Sequence, residues 1–188
     1  LHGAGVLSEN AVTVAYSYIG PKLTYPIYYD GTIGQAKRHL TKTAEKINEK
    51  YSDIKAYISV NKALVTQASA AIPIVPLYFA ILYKVMKVQG THEGCIEQIS
   101  RLFHEKLFVE KPVTDEQGRI RMDDWELSDE VQDKVMECWK NVTTENVAEL
   151  SDIDGYWQDF YQMFGFHLDG VDYAKDVDLE VAIPSLEK

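Results

Sequence analysis

Tyr28 and Lys37 lie in the run Tyr28-Tyr29-Asp30-Gly31-Thr32-Ile33-Gly34-Gln35-Ala36-Lys37, with eight residues between them. A phenol beside an ammonium is a proton-donating couple. The phenol's ordinary pKa is near ~10, and a neighbouring positive charge lowers it. Such a couple suits protonation of an oxygen on which negative charge develops, as when hydride is delivered to a conjugated carbonyl. On spacing alone the same residues also read as an aromatic surface loop beside a solvated lysine, since Tyr and Lys are common.

The surrounding elements must set the distance between the two groups. Ala11 to Ile19 is short, β-branched and aromatic, which predicts a buried strand. Gly20-Pro21 ends it. Thr32 is expected to cap a helix, with Gln35 as its capping-box partner. That helix is expected from about Ile33 to Lys50, with Ile33, Ala36, Leu40, Ala44 and Ile47 on its apolar face. Lys37 then falls about one turn in, and the preceding loop carries Tyr28 over the helix start.

A second strand is expected at Ile54 to Val60, a loop at Asn61 to Gln67, and a helix from about Ser69 to Val88. Pro73 and Pro76 sit early in that helix, where missing N–H groups cost least. Strand, helix, strand, helix implies a parallel sheet with right-handed crossovers. Ligands bind beyond the carboxyl ends of such strands, so Tyr18 to Gly31 and Asn61 to Ser69 are the loops expected to carry function.

The remainder reads as acidic and mostly helical. Glu93 to Leu107 is an expected helix with Ile96, Ile99, Leu102 and Phe103 inward. A turn follows at Asp115 to Gly118, and Ser128 caps a helix through Trp139. Shorter helices are expected near Thr144 to Leu150 and Gly155 to Phe164, the latter packing its aromatic residues on the core.

Composition removes several classes of function. Apolar residues make up 46% of the 188 residues, as in a globular domain with a core. The net charge of -10 argues against a nucleic-acid surface and against binding an anionic membrane through a basic patch. The apolar run from Ala70 to Leu82 is too short to span a bilayer, which takes about 20 residues. Leu1-His2-Gly3 does not read as a signal peptide, and Cys95 and Cys138 do not suggest a disulfide scaffold, so the cytoplasm is the expected compartment. Asp115 to Glu126 has the length of a calcium loop, but Arg119 and Ile120 stand where a ligand and a glycine are needed. His92, Cys95 and His104 lack the further ligands of a zinc site and are expected to pack within helices, so no metal is expected.

Three runs together resemble the monomeric trans-2-enoyl-CoA reductases and their enoyl-acyl-carrier-protein reductase relatives. They are Ala15-Tyr16-Ser17-Tyr18-Ile19-Gly20-Pro21, Tyr28 through Lys37, and Val65-Thr66-Gln67-Ala68-Ser69-Ala70-Ala71-Ile72-Pro73. The resemblance continues through Tyr83 to Lys87, His92 to Ile99, Arg121 to Leu127 and Gly165-Phe166, covering nearly the whole chain. It implies an α/β fold: the C-terminal half of a Rossmann-like, short-chain-dehydrogenase-related parallel sheet with extra C-terminal helices. Residues 1–188 would be the catalytic and substrate-binding portion of one larger reductase.

The resemblance also implies roles. Tyr28 and Lys37 match the family's catalytic pair, and Tyr18 matches a tyrosine that contacts substrate. Val65, Thr66, Gln67 and Ala68 fall where the family contacts the nicotinamide of NADH, with Lys37 on the ribose. Ser69 and Ile72 belong to the helix over the substrate, an enoyl-CoA or enoyl-acyl-carrier-protein used in fatty acid biosynthesis. The family's Gly-rich pyrophosphate turn has no counterpart here, because Gly3-Ala4-Gly5 precedes the first strand rather than following one. The N-terminal half of the same protein is therefore an implied partner, and the isolated chain is expected to be inactive. Two alternatives stand beside this reading. One is a short-chain ketoreductase, whose Tyr and Lys are normally closer, with Thr32 and Ile33 where that lysine would fall. The other is a non-catalytic interaction fragment.

Overall fold

The β-branched and aromatic residues of Ala11–Ser17 and Ile54–Val60 form two parallel strands, β1 and β2. Ala11 pairs with Ile54 and Ser17 with Val60, so the two strands end side by side. A third parallel strand, β3, spans Arg119–Arg121 and pairs with the end of β2. The sheet order is β1-β2-β3 in this computed structural model, which describes residues 1–182. β2 is central and largely buried, which suits its near-continuous apolar sequence. β1 keeps Val12 and Tyr16 exposed.

A short helix, α1 (Tyr25–Tyr28), precedes the long amphipathic α2 (Thr32–Lys50). α2 lies along β2, where the Asn48 amide both donates to and accepts from the backbone of Ala56, at 2.8 Å each way. The expected capping box is absent. Gly31 holds the N-cap position without a side-chain bond, Thr32 is already helical, and the Gln35 amide turns to Arg38 instead.

The helix expected from Ser69 is broken in two. A single 3-10 turn covers Ser69–Ala71, and α3 runs from Val75 to Gln89. The cause is local. Ile72 precedes a proline and is extended, as that position favours, and Ile74 has φ 65, which a β-branched residue rarely adopts. α3 buries nine residues on all sides, from Val75 to Met86, against α5 (Asp129–Asn141) and α7 (Ile153–Gln162).

α4 (Cys95–Arg101) runs into a wider π-type turn at Leu102–Leu107. Leu102 is inward as expected, but Ile96 is 74% exposed, against expectation. Arg101 reaches back to Glu93 through two bonds of 2.7 Å and forward to Asp124 and the Met122 carbonyl, each at 2.9 Å. These bonds anchor the segment that leaves β3. Ser128 caps α5 as predicted, accepting from the Val131 N–H, and α6 is the single turn Val147–Leu150. In α7, Tyr156 is buried and Phe160 packs against the core, while Trp157 and Tyr161, together with Phe164 just beyond the helix, are exposed.

Candidate active site

Because β1 and β2 end in register, the loops that follow them start together. The Asn61 N–H donates to the Ser17 carbonyl at 2.8 Å, fastening one loop to the other. The Met122 and Asp123 N–H groups donate to the Val60 carbonyl, so the segment after β3 joins the same end of the sheet. A cavity of about 320 Å³ opens there, and its lining includes Tyr18, Tyr28, Lys37, Thr66 and Ser69. Leu64 and Phe79 supply apolar wall. A second cavity of about 270 Å³ lies on the other side of Lys37, between α2 and the sheet, with Arg38, Lys42 and Arg119 at its edge. The first is the better candidate, since it lies beyond the carboxyl ends of the strands and gathers both tyrosines.

Two glycines permit this geometry. Gly20 has φ 73, and a Cβ there would overlap the Tyr18 and Thr24 hydroxyls. Gly34 lies directly under the Tyr29 carbonyl, and a Cβ there would collide with that backbone. The start of α2 therefore tucks beneath the loop that carries Tyr28, which is how residues nine apart in sequence reach one cavity. Gly34→Ala is expected to destabilise the protein by at least about 1–3 kcal/mol, because backbone must move. It should also separate Tyr28 from Lys37, so activity should fall more than the melting curve alone explains. Thermal melts and turnover measured on one preparation check this.

The Tyr18 and Tyr28 rings meet edge to face, with centroids 4.9 Å apart. The Lys37 Nζ lies 4.8 Å from the Tyr28 ring centroid and 5.8 Å from that of Tyr18, and donates to the Tyr18 carbonyl. Burial lowers the Lys37 pKa to about 8. Burial pushes the Tyr28 phenol up, with nearby Tyr156 adding to it. The sequence led us to expect the ammonium to lower the Tyr28 pKa, and desolvation is the larger effect. The outcome suits a proton donor, since Tyr28 keeps its proton at neutral pH. Tyr28 lines the cavity, and its hydroxyl makes no hydrogen bond to another described residue.

Tyr18 is held differently. Its hydroxyl donates to the Glu126 Oε1 at 3.0 Å. Glu126 also accepts from Tyr78 at 2.7 Å and, through Oε2, from the Ala63 N–H at 2.7 Å. Burial, the Glu126 charge and that hydrogen bond together push the Tyr18 phenol well up. Beside Glu126, the buried Lys62 donates to the carbonyls of Ala63 and Glu93 and lies over the Tyr83 ring.

The other expected contact residues divide. Thr66 and Ser69 reach the cavity and bind each other reciprocally, each N–H donating to the other's hydroxyl. Val65 is buried, its N–H donating to the Tyr83 hydroxyl, while Gln67 and Ala68 face solvent; none of the three lines the cavity. Ile72 packs against the core instead of the cavity, because the break before α3 turns it aside. Sequence reasoning missed Leu64, Phe79 and Glu126. The one available signal for Glu126 was an acid set between Trp125 and Leu127.

Residues 1–108 match the family model for the trans-2-enoyl-CoA reductase catalytic region, and residues 114–177 match that for the enoyl reductase FAD binding domain. An enoyl-[acyl-carrier-protein] reductase [NADH] of Cytophaga hutchinsonii is 57% identical over 97% of this chain and 47% of its own length. A trans-2-enoyl-CoA reductase of Euglena gracilis is 54% identical over 98% of this chain and 34% of its own. The crystal structure of a Treponema denticola trans-2-enoyl-CoA reductase in complex with NAD superposes with a TM-score of 0.90 at 49% identity, covering 94% of this chain and 45% of that one. The chain thus spans about a third to a half of the relatives it matches.

The second family description implies a flavin dinucleotide, and the residues here do not suit one. Between 114 and 177 stand seventeen Asp and Glu against five Lys and Arg. The first turns of α5, α6 and α7 are all acidic, which repels a pyrophosphate where a helix would otherwise bind it. β3 leads into the buried carboxylates of Asp123 and Glu126 instead of a Gly-rich turn.

Proposed function

The chain belongs to the trans-2-enoyl-CoA reductase family, and from that membership we propose that it is the C-terminal catalytic portion of an NADH-dependent enoyl-thioester reductase. The observation that carries this is the convergence of Tyr18, Tyr28 and Lys37 on one cavity beyond the ends of β1 and β2. The substrate class is a trans-2-enoyl thioester on CoA or acyl-carrier protein, reduced to the saturated thioester in fatty acid biosynthesis. The cytoplasm is the proposed compartment; among the described residues no helix is long and apolar enough to cross a membrane.

NADH, when bound, would supply the hydride that reaches C3 of the enoyl chain. Negative charge then develops at the thioester oxygen, and a preorganised donor there lowers the barrier. Tyr28 is that donor, with a free hydroxyl in the cavity and a phenol that stays protonated. Lys37 would hold the nicotinamide ribose hydroxyls, and it keeps positive charge beside Tyr28. Of the residues that line the cavity, Thr66 would contact the nicotinamide and Ser69 the substrate, while Leu64 and Phe79 would exclude water from the acyl chain. The pyrophosphate would be held by an N-terminal portion such as the longer relatives carry, since this chain spans 47% of one and 45% of another.

The test uses the full-length protein with NADH. Oxidation should accompany conversion of crotonyl-CoA to butyryl-CoA, with no turnover of acetoacetyl-CoA. Turnover of acetoacetyl-CoA alone would make the protein a ketoreductase and overturn the proposal.

A further inference from the structure

Glu126 is fully buried and does not line the cavity, yet three donors converge on it, one of them the hydroxyl of cavity-lining Tyr18. Tyr18 has one hydroxyl proton. Committed to a carboxylate, it cannot also be given to a substrate oxygen. The Tyr28 side chain lines the same cavity, and its hydroxyl makes no hydrogen bond to another described residue.

We propose that Glu126 is a positioning residue: it captures the Tyr18 hydroxyl proton, fixes that ring beside the substrate oxygen, and so reserves proton donation for Tyr28. The proposal rests on the reading of Tyr28 as the donor. Tyr78 and the Ala63 N–H hold the carboxylate in place, and Gln132 fixes Tyr78 and the Glu126 carbonyl from α5. The Arg101 bonds to Asp124 and Met122 anchor the segment that presents it.

The test is a double-variant comparison in the full-length enzyme with crotonyl-CoA and NADH. In Glu126→Gln the amide carbonyl must face the Ala63 N–H, so the NH₂ group faces the two tyrosine hydroxyls and donates to them. Tyr18 can then turn its own proton to the cavity. Tyr28→Phe should lower kcat by roughly 10²–10⁴-fold in the otherwise native enzyme. The same substitution in the Glu126→Gln background should cost at least about tenfold less, since sites that share a network are not additive. A merely structural Glu126 would lower melting temperature and kcat but leave the Tyr28→Phe penalty equal in both backgrounds, which overturns the proposal. If Glu126→Gln does not fold, Tyr18→Phe decides: a kcat loss within about tenfold supports it, and a loss as large as that of Tyr28→Phe overturns it. Full activity of Tyr28→Phe alone would overturn the functional reading and this proposal together, a result distinct from equal penalties.

Discussion

Tyr28→Phe in the full-length enzyme is expected to cut kcat for crotonyl-CoA by roughly 10²–10⁴-fold, the usual worth of a positioned proton donor. The substitution removes one oxygen and keeps the ring, so the edge-to-face packing on Tyr18 and the contact with Lys37 both survive. The hydroxyl it removes belongs to a cavity-lining residue and makes no hydrogen bond to another described residue, so no buried partner is left unsatisfied. The melting temperature should therefore stay near that of the native enzyme while turnover collapses. Near-normal turnover would remove Tyr28 from the chemistry.

Lys37→Ala should weaken NADH binding and turnover together, because one ammonium serves the ribose and the tyrosine pair. Losing charged hydrogen bonds worth about 1.5–3 kcal/mol corresponds to roughly 10–100-fold in NADH affinity. The pH dependence has a definite sign. Lys37 is charged below its pKa of about 8 and neutral above it, so kcat/KM, which reports the free enzyme, should fall as pH rises through about 8. Lys37→Arg keeps its charge at every relevant pH and should move that limb upward, even if the different geometry slows the reaction. Calorimetry with NADH and a pH series check both parts. Unchanged affinity and rate in Lys37→Ala would make it an ordinary helix lysine.

Much of this was legible in sequence where local chemistry agrees with the fold. β2 reads correctly because Ile54 to Val60 is rich in β-branched and apolar residues, all but Lys55 buried or half-buried. α2 reads correctly in its position, with Leu40, Ala44 and Ile47 half-buried at the helical period, but Ile33 and Ala36 of the expected apolar face are exposed. β3 was not legible. Its three residues are Arg-Ile-Arg, and only the pairing with β2 reveals a strand whose Ile120 is buried. The break at Ile72 to Ile74 was missed because two prolines also suit a helix start, and a left-handed isoleucine has no sequence signature. Within the site, Tyr28 and Lys37 were legible through spacing and resemblance. Glu126 was not, since its role depends on Tyr18, which is 108 residues away in the chain.

The central claim is tested most directly by tracing the transferred hydride. The full-length enzyme is given crotonyl-CoA and NADH carrying deuterium at the transferable position of the nicotinamide, and the product is analysed by mass spectrometry and NMR. The account predicts butyryl-CoA with one deuterium, on C3, and a proton from solvent on C2. Unlabelled product, or butyryl-CoA with its deuterium on C2, would contradict it.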